Sequence, residues 1–172
     1  MADAPPVAFD TLIIACGNPM RGDDGIGPIV AEQVEASLPE NLREQNRFII
    51  THQLLPELSL ELAQARCAVL IDARVSDTEP VGNVRVDTVL PEKYTASGMQ
   101  SCNPGTDLTH HWTFPRLLAM AEMLFGHAPE AYTVSVTAEA FDDADSLSPV
   151  IEGAIPQMRD HVMRVLNGAS PV

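Results

Sequence analysis

Two short apolar runs constrain this chain more than anything else in it: Thr11 to Cys16 (TLIIAC) and Cys67 to Ala73 (CAVLIDA). The first is rich in β-formers, and neither shows polar alternation, the pattern of strands covered on both faces rather than one. Each stops at a residue that can begin a polar turn, Gly17 and Asp72. Doubly covered strands need helices above and below them, and the intervening sequence supplies helices. After Pro28, placed where a first helical turn tolerates it, Ile29, Val30, Val34 and Leu38 recur at helical spacing, so a helix is expected over Gly25 to Leu38.

The same alternation continues along the chain. Phe48 to Thr51 reads as a second strand, and Pro56 opens a helix with Leu58, Leu62 and Ala65 on one face. Val84 to Val89 alternates, with Arg85 and Asp87 opposite Val84, Val86 and Thr88, as in a half-exposed strand at a sheet edge. Leu90 to Asp107 is polar and punctuated by Gly and Pro, and is read as loop, long enough to close over a substrate. Arg116 to Phe125 is helical, Ala131 to Thr137 is a last strand, and Pro149 opens a long terminal helix that Pro156 kinks. Strands alternating with amphipathic helices predict βαβ units: an α/β chain in three layers, α/β/α, around a mostly parallel twisted sheet of about five strands. At 172 residues the expectation is one domain over 1–172, with the core over about 10–167 and short flexible tails.

Charge narrows the partners. Ten Lys and Arg against 24 Asp and Glu give a net charge of −14, which repels nucleic acid and anionic membrane surfaces. The same charge suits a partner with a basic patch or simply maintains solubility. Cys16, Cys67 and Cys102 form no CxxC pair, and an odd, scattered set argues against a disulfide framework or a zinc ribbon. No basic segment followed by a long apolar stretch opens the chain, and no apolar run approaches a membrane span. A cytoplasmic protein is expected.

The polar residues that can carry chemistry concentrate at Gly17-Asn18-Pro19-Met20-Arg21-Gly22-Asp23-Asp24-Gly25-Ile26-Gly27. Four glycines between a strand and a helix resemble a phosphate cradle. Two carboxylates at the helix entrance oppose it, and no Lys-Ser or Lys-Thr pair follows. One carboxylate suffices to cap a helix, and the second needs another role. In parallel sheets, ligands bind outside the carboxyl ends of the strands, so Asp24 and Asp72 should meet at one rim. A lone Asp at a strand end is otherwise just a turn cap. His110 and His111 stand in tandem before the helix containing Leu117 and Leu118. Two carboxylates and an imidazole would make a mixed oxygen and nitrogen site with open positions, suited to Zn²⁺ or Ni²⁺ rather than Ca²⁺. There is no Gly-x-Ser-x-Gly elbow, nothing in the sequence places Cys102 in an activating environment although a nearby His could in principle pair with it, and His52 and His127 have no companion motif.

With these motifs in their order, the chain resembles the maturation endopeptidases of [NiFe]-hydrogenases, which cut a C-terminal extension from the hydrogenase large-subunit precursor after nickel insertion. The resemblance runs from about Leu12 to Met158. It rests on Gly17, Asn18, Asp23, Asp24, Gly25 and Gly27, on Gln53 to Leu58, on Leu70-Ile71-Asp72-Ala73, on Thr109-His110 followed by Leu117-Leu118, and on Leu147-Ser148-Pro149. Ser146 stands where that family often has Gly. The resemblance implies metal contact and catalysis at Asp24, Asp72 and His110, with His111 as the alternative third residue. It implies nickel supplied by the substrate, with Zn or another divalent ion able to stand in for it in vitro. It also implies a monomer whose partner is the large-subunit precursor. Two other readings fit the same residues: a non-catalytic metal-dependent chaperone or binding module for hydrogenase assembly, and an amide hydrolase carrying its own metal.

Overall fold

The structure, a computed structural model, describes residues 5–93, 112–139, 141 and 144–169. The first apolar run forms β1 (Phe9–Cys16). A single 3-10 turn, Gly22–Gly25, then leads into helix α1 (Ile26–Ser37). A short helix that hydrophobic spacing does not announce, α2 (Glu40–Gln45), precedes β2 (Asn46–Thr51). It buries no residue, so it carries no apolar stripe to be read. Helix α3 (Leu58–Ala63) and strand β3 (Ala65–Arg74) follow. Ala65 therefore opens the strand instead of extending the helix face, because α3 ends at Ala63 and Gln64 caps it.

The edge strand β4 (Val84–Val89), helix α4 (Phe114–Phe125) and strand β5 (Glu130–Thr137) agree with their sequence patterns to within two residues. The terminal helix is two helices and not one bent rod: α5 (Pro149–Glu152) and α6 (Ile155–Leu166). Pro156 falls in the first turn of α6, where its missing N–H costs nothing. Gly153 and Ala154 make the break.

The sheet has the order β2-β1-β3-β5-β4. β1 pairs in parallel with β2 and with β3, and β3 in parallel with β5; β4 joins β5 antiparallel at one edge. Period-two alternation divides the core between the two faces. Ile13, Ala15, Val69, Ile71, Val134 and Val136 meet α1, α5 and α6 through Ile26, Val30, Val34, Ile151 and Met158. On the other face Leu12, Ile14, Ala68 and Leu70 meet α3 and α4 through Leu58, Leu62, Leu117 and Leu118. Consecutive residues of β1 thus enter opposite cores, which is why TLIIAC has no polar alternation. Each such Leu or Ile contributes about 1.5–3 kcal/mol by leaving water. Among the described residues no helix is long and apolar enough to cross a membrane.

This order fixes the functional end. From β1 the chain turns to β2 on one side by way of α1, then crosses back over β1 by way of α3 to β3 on the other side. The crossovers run on opposite faces, so a crevice opens between the carboxyl ends of β1 and β3. Open parallel sheets take their ligands at this switch point. α4 is followed within a few residues by the start of β5, so the helix runs antiparallel to the strand and its N-terminus points back to the same rim.

Candidate metal-recognition site

Three groups stand at this crevice. Asp24 lies in the 3-10 turn after β1, Asp72 near the end of β3, and Cys16 at the end of β1. Alternation places Asp72 on the α3 and α4 face with Leu70, and Cys16 packs against the core of that same face. The three are close enough to act on one another. The Asp72 carboxyl is pushed up from 3.8 to about 7, mainly by burial; a hydrogen bond from the Ala73 backbone opposes this and the Asp24 charge adds to it. The Cys16 thiol is pushed up to about 12 by burial, then by Asp72 and Asp24.

These shifts decide what each group can do. A carboxyl balanced near neutrality gives up its proton readily to an arriving cation, because the cation supplies the charge compensation the site lacks. Cys16 lies in the opposite regime. Its thiolate is suppressed by its neighbours, so it forms an uncharged wall of the crevice and not a nucleophile. Sequence reading placed Cys16 at the end of the first apolar run and missed its place beside the acids. Its position immediately before Gly17, at the strand's rim, was the available signal.

The glycines of the turn serve packing, not phosphate. A Cβ on Gly27 would lie 2.4 Å from the Cys16 carbonyl oxygen and 2.8 Å from that of Ile71, so α1 starts directly against the ends of β1 and β3. Gly17 has φ of +135°, and a Cβ there would lie 1.9 Å from the Asp24 carbonyl oxygen. The loop folds back on itself as tightly as backbone allows.

Neither acid caps the helix, contrary to the reading of Asp23 or Asp24 as an N-cap. No side-chain cap bond is present at the 3-10 turn or at α1. Asp24 instead reaches back, its Oδ2 accepting the Asn18 backbone N–H at 2.8 Å. Asp23 is fully buried and turns away from the crevice. Its Oδ1 accepts the Ser148 backbone N–H at 2.7 Å, and its Oδ2 accepts the Ser148 hydroxyl at 3.1 Å. The pair is divided in labour: Asp23 holds the turn to the segment before α5, and Asp24 faces the crevice.

His110 and His111, like Cys102, lie outside the described residues. Among the described residues, no group of three His, Cys, Asp or Glu side chains is arranged to hold a metal. Trp112 packs on the α3 and α4 face two residues before α4 begins. His127 has a structural position, its Nε2 lying 3.0 Å from the Ala65 carbonyl oxygen. Arg74, two residues beyond Asp72 on the strand, is bound to the Ser135 hydroxyl at 3.1 Å and paired with Glu79.

Several solved structures share this architecture. The hydrogenase maturating endopeptidase HybD of E. coli matches over 93% of both chains, with a TM-score of 0.68 and 20% identity. An endopeptidase from E. coli, solved in solution, matches over 94% of this chain and 96% of its own, with a TM-score of 0.67 and 21% identity. The [NiFe] hydrogenase maturation protease HycI of Thermococcus kodakarensis matches over 92% and 93%, with a TM-score of 0.65 and 16% identity. At these identities the likeness is one of fold, and at that level it meets the resemblance read in the motifs. No protein-family model matches the chain, and no curated protein matches it significantly in sequence.

Proposed function

We propose that this chain is an endopeptidase that removes the C-terminal extension of a [NiFe]-hydrogenase large-subunit precursor in the cytosol after nickel insertion. The observation that carries the reading is the meeting of Asp24 and Asp72 at the switch point, with Asp72 poised near neutrality by its surroundings. Two acids that meet at the switch point, one of them raised in part by the charge of the other, suit a cation. The shared fold with solved hydrogenase maturation endopeptidases supports a hydrogenase precursor as the substrate, and in this reading the precursor's nickel is the cation.

In this proposal Asp24, Asp72 and His110, or His111 in its place, contact the nickel held in the precursor, and nickel is part of the substrate. Contact through the metal fixes the scissile bond near the crevice and makes processing conditional on a loaded precursor. Asp72 releases its proton as the metal arrives. The attacking group is water, since the Cys16 thiolate is disfavoured and the chain has no serine elbow. The α4 entrance lies at the same rim, and the sequence bearing His110 and His111 leads directly into it.

The test is cleavage of purified precursor, nickel-loaded and nickel-free, by the purified chain. Shortening of the loaded form alone is expected. Cleavage of both forms would remove the metal-sensing element, and binding without cleavage would favour a chaperone. Tight metal retained by the isolated chain would favour an enzyme with its own cofactor.

A further inference from the structure

We propose that Ser148 is a positioning residue that acts through Asp23 to hold the Asp24 carboxylate at the crevice. Its effect on metal binding rests on the functional reading above, whereas its effect on the turn does not.

Ser148 occupies the N-cap position of α5 in the extended conformation, with φ of −65° and ψ of 150°. A serine there ordinarily spends its hydroxyl on its own helix, yet no side-chain cap bond is present. The hydroxyl and the backbone N–H are both turned instead to Asp23, 125 residues away in sequence. A fully buried carboxylate is costly unless hydrogen-bonded, and Ser148 engages both of its oxygens. The contact is one end of a seam. Gly22 N–H donates to the Ala144 carbonyl at 2.8 Å, Arg21 bridges to Ala144, and the Arg21 guanidinium donates to the Phe141 carbonyl at 3.3 Å.

Asp23 and Asp24 are adjacent in a single 3-10 turn, where successive side chains diverge by roughly 120° because there are about three residues per turn. Anchoring Asp23 inward therefore fixes the direction of Asp24. The other constraint on Asp24 is the Asn18 N–H bonded to its Oδ2, and that amide reports on the carboxylate's position. Loss of the Ser148 hydroxyl frees one Asp23 oxygen, loosens the turn and scatters Asp24.

The experiment compares wild type, Ser148→Ala and Ser148→Thr by amide hydrogen exchange in NMR and by calorimetric titration with Ni²⁺ alone. In Ser148→Ala, exchange at Asn18 is expected to rise about tenfold, the scale of one lost hydrogen bond to a charged group. Protection over Leu12 to Ala15 should be unchanged, and Ser148→Thr should restore Asn18. Nickel affinity should fall about tenfold in Ser148→Ala, recover in Ser148→Thr, and show no further loss when Ser148→Ala is added to Asp24→Asn. Unchanged exchange at Asn18, or an equal rise along all of β1, would overturn the positioning role. If wild type takes up no Ni²⁺ while Asn18 responds as expected, binding of free metal by the isolated chain is refuted and the positioning role stands. Should Ser148→Ala not fold, Asp23→Asn, which keeps the side chain's size and an acceptor, is read by the same two measurements with the same expected directions.

Discussion

Replacing Asp72 by Asn should make the protein more stable at alkaline pH while removing its metal response. In the folded chain this carboxyl sits at about 7 against an ordinary 3.8. Between those values the folded state keeps a proton that the unfolded state has released, so stability falls as pH rises through the window. The penalty is absent below about pH 4 and complete above about pH 7. The displacement corresponds to about 4 kcal/mol at most, and with solvent still reaching the group about 2 kcal/mol is a reasonable lower figure. Asn mimics the neutral acid, and its carbonyl can still accept the Ala73 N–H, so the variant avoids the penalty at every pH. Urea denaturation of both proteins from pH 4 to 8, with chelator present, tests this. The difference should be near zero at pH 4 and grow to about 2–4 kcal/mol in the variant's favour by pH 8. Other titrating groups cancel in the comparison. A difference that stays constant across the range would refute the claim that burial of the Asp72 charge is what the fold tolerates for function. Added Ni²⁺ at pH 8 should raise the wild type's stability and leave the variant's unchanged.

Three other substitutions probe the rim. Asp24→Asn keeps an acceptor for the Asn18 N–H, so its thermal midpoint should stay within about 4 °C of wild type while nickel-dependent processing is lost; normal processing would remove Asp24 from the site. The double change His110→Ala with His111→Ala should abolish processing, and the two single changes, scored on the same precursor gel, identify the ring that contacts metal. Gly27→Ala drives a methyl into the Cys16 and Ile71 carbonyls. It should destabilise the fold by about 3 kcal/mol or more, and a wild-type denaturation midpoint would mean that α1 does not rest on the strand ends as described.

The sheet was legible because burial on two faces leaves a simple trace. β1 and β3 feed both cores, one residue to each side in turn, so their sequences are unbroken apolar runs. β4, exposed along one edge, alternates instead. What hydrophobic pattern could not convey was structure that buries little or nothing. α2 has no buried residue, and its six positions carry no stripe. The split between α5 and α6 was hidden for a related reason. Ile151, Ile155 and Met158 enter one core, so the apolar pattern runs through Gly153 and Ala154 although the helix does not.

The site was legible in part. Topology alone, read from the alternation of elements, placed the loop after β1 and the end of β3 at one rim, and the mutual influence of Asp24, Asp72 and Cys16 there agrees with it. The partner of Asp23 was not legible, since a bond spanning 125 residues has no local signature. That bond also explains why a glycine-rich strand-to-helix turn need not bind phosphate. A phosphate cradle leaves its backbone N–H groups free to converge on the anion. Here the Asn18 amide is taken by Asp24, the Gly22 amide by Ala144, and the Gly17 amide by Thr51. The turn uses its donors to hold itself together and presents a carboxylate outward, so its polarity is opposite to that of an anion site. The same glycines that would let a loop approach a phosphate let this one bring an acid within reach of a second acid, an arrangement relieved by the proton that Asp72 keeps up to about pH 7 or, in the proposed function, by a cation.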